Sequence, residues 1–361
     1  MKLFRLPYIP TKLVLDHMPI NHIFFLSLCS KSIKNYIKQI QKYQLKKIKR
    51  VHYSISKASI RITVGTRRLG TCKVLMVLYK TPINSVKRFS WCKEGDAVEE
   101  VQVKELGTSI DFLRSPVNQT DLHAKYTSDN AESIIESIHN HLCDLLGRDP
   151  LIWLMASFRE THFFPSLRNI RMLSIPEGDD SVLTGVNEIL SRSPCLEVFS
   201  WWRPHRNDIK FEENSKVYEM DTLDVCQSLF LAKDVLKYFK GRHAFLSSNS
   251  IRTQDIIQFL NEWRSGEKFQ NLEVISISSP QQIPDIRRSI EFKKLNKSVK
   301  YSYIKKHPIE HRMFKSRLYM VRESDGHVAS VLLEHTRVFM GVWNMTEAEF
   351  LEKFQMIQSM E

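Results

Sequence analysis

The chain has 361 residues, 42% of them apolar, with 53 Lys and Arg against 40 Asp and Glu and a net charge of +13. That composition supports two or three packed units, and 11 Gly and 13 Pro are too few for a disordered or collagen-like chain. The charge is segregated: residues 1–93 hold 14 Lys and 6 Arg against Asp16 alone and the remainder is net acidic, so the front of the chain favours an acidic partner, either nucleic acid or protein.

A secretory leader needs a basic start followed by about 7–15 apolar residues. Here Lys12, Asp16 and His17 break the pattern, and the densest run, 23–29, contains Ser27. No stretch approaches the ~18 apolar residues that cross a bilayer. A soluble protein of the cytoplasm or nucleus is expected. Its six Cys, at 29, 72, 92, 143, 195 and 226, form no CxxC and read as reduced thiols filling core space.

In chain order, Leu6, Pro7 and Ile9 form an extended lead-in, because Pro10 biases Ile9 away from the helical region. Thr11 then caps a short helix carrying Leu13, Val14, Leu15 and Met18, which Pro19 closes. Asn21 opens a second helix, apolar nearly all round through Ile23, Phe24, Phe25, Leu26, Leu28 and Cys29. Ser30 caps a third, with Ile33, Ile37 and Ile40 inward and Lys31, Lys34 and Lys38 outward. Three such helices cannot bury all they carry. Either a second polypeptide completes them or they pack on the rest of the chain.

The run "LPYIPTKLVLDHM…HIFFLSLCSKSIKNYI" resembles an F-box, over residues 3 to about 42, and is similar to the large nematode F-box family in "FRLPYIP" and "LSLCSKSIKNYIK". The resemblance implies docking on the Skp1 adaptor of a cullin–RING ubiquitin ligase. Carried across by position, Leu6 and Pro7 would be the extended hook, and Ile9, Leu13 and Leu15 the first-helix contacts. Ile23, Leu26 and Cys29 would lie on the second helix, and Ile33 and Ile37 on the third. Some of these must instead hold the helices together. Phe24 and Phe25 cannot both point inward.

Residues 41–50, QKYQLKKIKR, read as the solvated end of the third helix. VHYSIS, SIRITVG and KVLMVLYK follow as strands and, with VQVKEL and SIDFL, give an antiparallel sheet unit over 49–115. Its scattered aromatics Tyr53, Tyr79 and Trp91 argue against an RNA-recognition sheet. An amphipathic helix spans 128–147, with Ile134, Ile135, Ile138, Leu142, Leu145 and Leu146 as its stripe. Strand-like segments headed by Leu167, Leu196 and Leu272 are separated by helices, SVLTGVNEILSRS and SIRTQDIIQFLNEWRSG, the latter capped by Thr253 and ended at Gly266. They give an irregular leucine-rich-repeat-like layer, irregular because the leucines stand 29 and then 76 residues apart. Residues 317–344 read as three strands with a hairpin at Asp325-Gly326, and Thr346 caps a last helix with Glu349 three residues on.

The expected fold is α+β and multidomain. A short three-helix F-box (1–42) precedes a basic strand-rich antiparallel unit (43–127) and a mixed α/β domain (128–361). "SSNSIRTQDIIQFLNEWRSGEKFQNLEVISI" and "DGHVASVLLEHTRVFMGVW" make roughly 160–345 similar to the type 2 F-box-associated domain of nematodes, which implies a target-binding role.

No GxGxxG, GxxxxGK, GxSxG or HExxH occurs. His307 and His311 in HPIEH read as surface histidines, Cys29 and Cys195 as core, and His139 and His141 diverge on their helix. In SWWRPHR, Trp201, Trp202, Arg203 and Arg206 are the candidate target-binding residues, against a reading in which helices cover both tryptophans. The chain is therefore expected to be a non-catalytic receptor subunit of an SCF-type ligase, without cofactor, that docks on a Skp1-type adaptor, meets a cullin–RING ligase through it and presents a protein target. The alternatives are nucleic-acid binding through residues 31–93, and an F-box scaffold outside the ligase.

Overall fold

The structure, a computed structural model, describes residues 7–56, 58–65, 72–80, 111–113, 122–148, 150–156, 165, 167, 169–175, 182–202, 210–228, 230–279, 286–306 and 309–360. They fold as two compact units, Met1–Leu173 with Ser191–Cys195, and Ser174–Leu190 with Leu196–Glu361. No helix among the described residues is long and apolar enough to cross a membrane.

The first unit begins with helices α1 (Tyr8–His17), α2 (Ile20–Cys29), α3 (Lys31–Ile40) and α4 (Lys42–Lys47). Helix α1 starts earlier than its sequence suggests. Pro10 sits in its first turn, where an amide hydrogen has no partner to lose, and the Thr11 amide donates to the Pro7 carbonyl at 3.1 Å. Ile9 is therefore helical, and Thr11 is buried inside the helix instead of capping it. Helix α2 follows Pro19 directly, with Asn21 buried in its first turn. Ser30 does cap α3, accepting from the Ile33 amide at 3.2 Å. The basic stretch after α3 forms a separate helix, whose Leu45 is buried along with the following Ile48.

Strands β1 (Arg50–Ile55), β2 (Ser59–Gly65), β3 (Cys72–Lys80), β4 (Asp111–Leu113), β5 (Leu122–Tyr126) and β6 (Leu151–Ala156) lie in the order β6-β1-β2-β3-β5-β4. Within 49–115 the pairs β1–β2 and β2–β3 are antiparallel as expected, and β4–β5 is antiparallel too; the sheet is mixed because β6 and β5, which lie beyond that stretch, pair parallel with β1 and β3. Helix α5 (Ala131–Leu146) provides the crossover that carries the chain from β5 to β6. Its six-residue stripe is buried as expected, and Gly147 ends it at φ 64°. VQVKEL lies outside the described residues.

The boundary between units falls within β7 (Ile170–Ile175) and α6 (Val182–Arg192). In the second unit, β8 (Val198–Trp202), β9 (Thr222–Cys226), β10 (His243–Ser247) and β11 (Val274–Ser278) are parallel neighbours in chain order. Helices α7 (Leu231–Tyr238) and α8 (Thr253–Ser265) connect the last three. Thr253 is the first residue of α8, and the Asp255 carboxylate takes the Arg252 amide at 2.8 Å. After α9 (Ile286–Ser289), strands β12 (Lys293–Lys306), β13 (Ile309–Val321), β14 (His327–Leu333) and β15 (Arg337–Thr346) extend the sheet antiparallel from β11, in the order β12-β13-β14-β15-β11. Helix α10 (Glu347–Met360) closes the chain, with Thr346 and Glu349 exchanging hydrogen bonds at its start.

Tyr301, Tyr303 and Phe314 turn inward onto Phe245 and Val274. The Tyr301 ring lies where a side chain on Gly341 would stand, 2.5 Å from an added Cβ, so glycine is needed there. The Asp325-Gly326 turn forms as read from the sequence, with Gly326 at φ 72°.

Candidate functional site

The four amino-terminal helices separate into a covered side and an open side. Leu15, Ile23, Phe24, Leu28, Ile37 and Ile40 are buried. On α1, by contrast, Tyr8, Ile9 and Leu13 are 58, 69 and 55% exposed, and Val14 is also exposed. Ile9 and Leu13 are four residues apart and therefore share one ridge. Large apolar side chains clustered on one exposed ridge mark an interaction surface. Asp16 ties the helix to the rest of the domain, pairing with Lys12 at 2.5 Å and accepting from Gln41 at 2.8 Å.

The covered side is fastened to α5. The Ser27 hydroxyl meets His141 Nε2 at 2.8 Å, and the His141 ring stands edge-on to Phe24 at 5.6 Å. Lys34 and Lys38 both reach Asp144 at 2.6 Å. Arg148 donates to the carbonyls of Lys46 and Ile48, where the end of α4 leaves its acceptors open. Lys34 is thus buried and paired, not outward as its helix position implied. Two lysines of the basic segment are therefore engaged within the chain.

Hydrogen bonds from Lys34 and Lys38 hold the Asp144 carboxyl down at about 2. Burial, reinforced by the Lys34 charge, pushes His141 down to about 4. Both groups lower stability in acid. Between pH ~6.5 and ~4 the unfolded chain binds a proton at residue 141 that the folded chain refuses, and Asp144 adds its loss between ~3.8 and ~2. The seam is expected to weaken by on the order of 2–3 kcal/mol as pH falls from 7 to 4. Hydrogen-exchange protection of α2 and α5 measures it. His141→Phe, which keeps a ring against Phe24, should flatten that limb.

The sequence-derived adaptor contacts now divide. Pro7, Ile9, Leu13 and Cys29 are exposed, Leu26 and Ile33 are half-buried, and Leu15, Ile23 and Ile37 are interior residues that present no surface. Leu6 lies outside the described residues. Phe24 is fully buried and Phe25 only partly, as their adjacency required. Tyr8 and Val14 are exposed on either side of that ridge although no contact was assigned to them. A helix beginning before Pro10 would have revealed both.

Trp201 is a core residue at 1% exposure, packed near Phe199 and Phe211, while Trp202 is 44% exposed on the other face of β8. Arg203 and Arg206 lie outside the described residues, as does His307. His311 is on β13, a strand and not a helix turn. Cys29 is exposed and Cys195 half-buried, so neither fills the core as expected. His139 and His141 do diverge, His139 meeting Tyr53 at 3.0 Å. Among the described residues no group of three or more His, Cys, Asp or Glu is placed to hold a metal ion.

Residues 3–45 match the F-box domain family and form an F-box domain. No curated protein and no solved structure matches the chain.

Proposed function

We propose that this chain is the target-recognition subunit of an SCF-type ubiquitin ligase. The F-box domain supports a general adaptor role. The observation that carries the reading is the open ridge of α1: Ile9 and Leu13 stand in water while the opposite side of the same domain is fastened to α5. A Skp1-type adaptor covers that ridge, with Leu6, Pro7 and Cys29 as flanking contacts. Through the adaptor the chain joins a cullin–RING ligase in the cytoplasm or nucleus. The remainder, read as a type 2 F-box-associated domain of the nematode kind with repeat-like strand–helix units, holds a protein target. Trp202 is the exposed member of the tryptophan pair that can contribute there. The chain itself makes and breaks no bond. It raises the local concentration of a target lysine near the conjugating enzyme.

Purified full-length chain mixed with a Skp1-type adaptor should co-elute as a stoichiometric complex. Addition of a cullin to that complex separates ligase receptor from scaffold. Failure of the adaptor to co-elute overturns the reading.

A further inference from the structure

β12 ends the sheet order of the second unit: β13 pairs with one of its edges, and no described strand pairs with the other. That edge presents main-chain donors and acceptors. The hairpin is also the basic part of an otherwise acidic remainder. β12 contains six lysines and no acidic residue, and β13 adds Arg312, Lys315 and Arg317 against Glu310.

The register sorts these residues by face. Tyr301 opposes Phe314, stacked at 5.5 Å on the inner side. On the other side Lys300 stands directly opposite Lys315 and Ser302 opposite Met313, with Arg317 next along β13. Met313 is 61% exposed. Lys293 finds Glu347 at 2.7 Å, but among the described residues Lys300, Lys315 and Arg317 have no acidic partner. Like charges opposed across a strand pair destabilise it. A lysine-rich edge can serve simply to discourage strand pairing. That need does not account for the two cations on the inner strand β13, set beside an exposed methionine.

We propose that this edge and face bind an extended acidic segment of a protein, added to β12 as a further strand. Side chains of such a strand alternate between faces. One set lies beside Lys300 and Ser302, within reach of Lys315 and Arg317, and carries carboxylates. The other lies at the margin of Tyr301 and Tyr303 and is apolar. Nucleic acid fits less well, since the hairpin's buried rings, Tyr301, Tyr303 and Phe314, turn inward and leave no stacking platform. Identification of the segment as part of a ligase target rests on the receptor reading; the binding itself does not.

The test uses the full chain and a fluorescein-labelled heptapeptide of alternating Glu and Val, followed by anisotropy at low salt. Saturable binding is expected. Lys300→Glu with Lys315→Glu should weaken it at least about tenfold. Alternate N-methylation of the peptide on its pairing side should weaken it comparably with every charge intact. The substitutions are at exposed positions, and unchanged near-ultraviolet dichroism confirms folding. The proposal is overturned by no binding, by equal binding to the double variant or by equal binding of the N-methylated peptide. Tighter binding of a single-stranded oligonucleotide overturns it in favour of a general polyanion surface. Adaptor co-elution is read separately, so failure here leaves the receptor reading standing.

Discussion

A chain carrying Ile9→Asp and Leu13→Asp is expected to lose adaptor binding by at least about a hundredfold, with a melting temperature within about 2 °C of the parent. Both side chains are exposed in the free protein, so replacing them removes little from its own core. In a complex each would be covered, which is worth roughly 1.5–3 kcal/mol apiece. An unpaired carboxylate in the same place adds a desolvation cost. Leu15→Ala, two residues on, should behave differently. Leu15 is fully buried, and its truncation costs about 2–5 kcal/mol of stability, so adaptor binding falls only because the domain loosens. Calorimetric titration beside thermal melting separates the two. Equal loss of binding in both with equal loss of stability would mean that α1 serves only as core.

Arg322→Met should destabilise the second unit by about 3 kcal/mol at pH 7. Arg322 is 2% exposed. It grips both carboxylate oxygens of Asp325, at 2.9 and 2.6 Å, donates to the Gln270 carbonyl at 3.2 Å and lies over the Trp263 ring at 5.4 Å. One cation thus ties the β13–β14 turn to the segment after α8. Asp325 is more than a third exposed, so water replaces part of that pair, and most of the cost falls on the buried carbonyl and ring contacts. The hydrogen bond from Arg322 holds the Asp325 carboxyl at about 2. Its share of stability is present above pH ~3.8 and fades as pH falls toward ~2. Denaturant midpoints of parent and variant should therefore lie closer together at pH 3 than at pH 7. A difference that does not change with pH would place the whole effect on packing.

What the sequence disclosed follows from how local each signal is. α5 and α8 were legible because the helical pattern and its stop residue agree over thirteen residues or more. The β13–β14–β15 meander was legible because Asp-Gly sits between alternating runs. β9 and β10 were missed: both fall in the 76-residue gap between Leu196 and Leu272, which was read as carrying a helix but no strand. β12 was missed because lysines interrupt its alternation at a register shift between Lys294 and Val299. Strand direction in the first sheet was not legible, since it depends on where α5 delivers β6. In the F-box domain the sequence did not show how the apolar residues divide into ridge and core. That division depends on Ser27, Lys34 and Lys38 finding His141 and Asp144 more than a hundred residues later.

That division is the central claim, and hydroxyl-radical footprinting of the full chain with and without a Skp1-type adaptor tests it most directly. Oxidation of Tyr8, Ile9 and Leu13 should fall strongly in the complex, while Trp202 and Met313 keep the reactivity of the free chain. Undiminished oxidation of Tyr8, Ile9 and Leu13 in a saturated complex would contradict it.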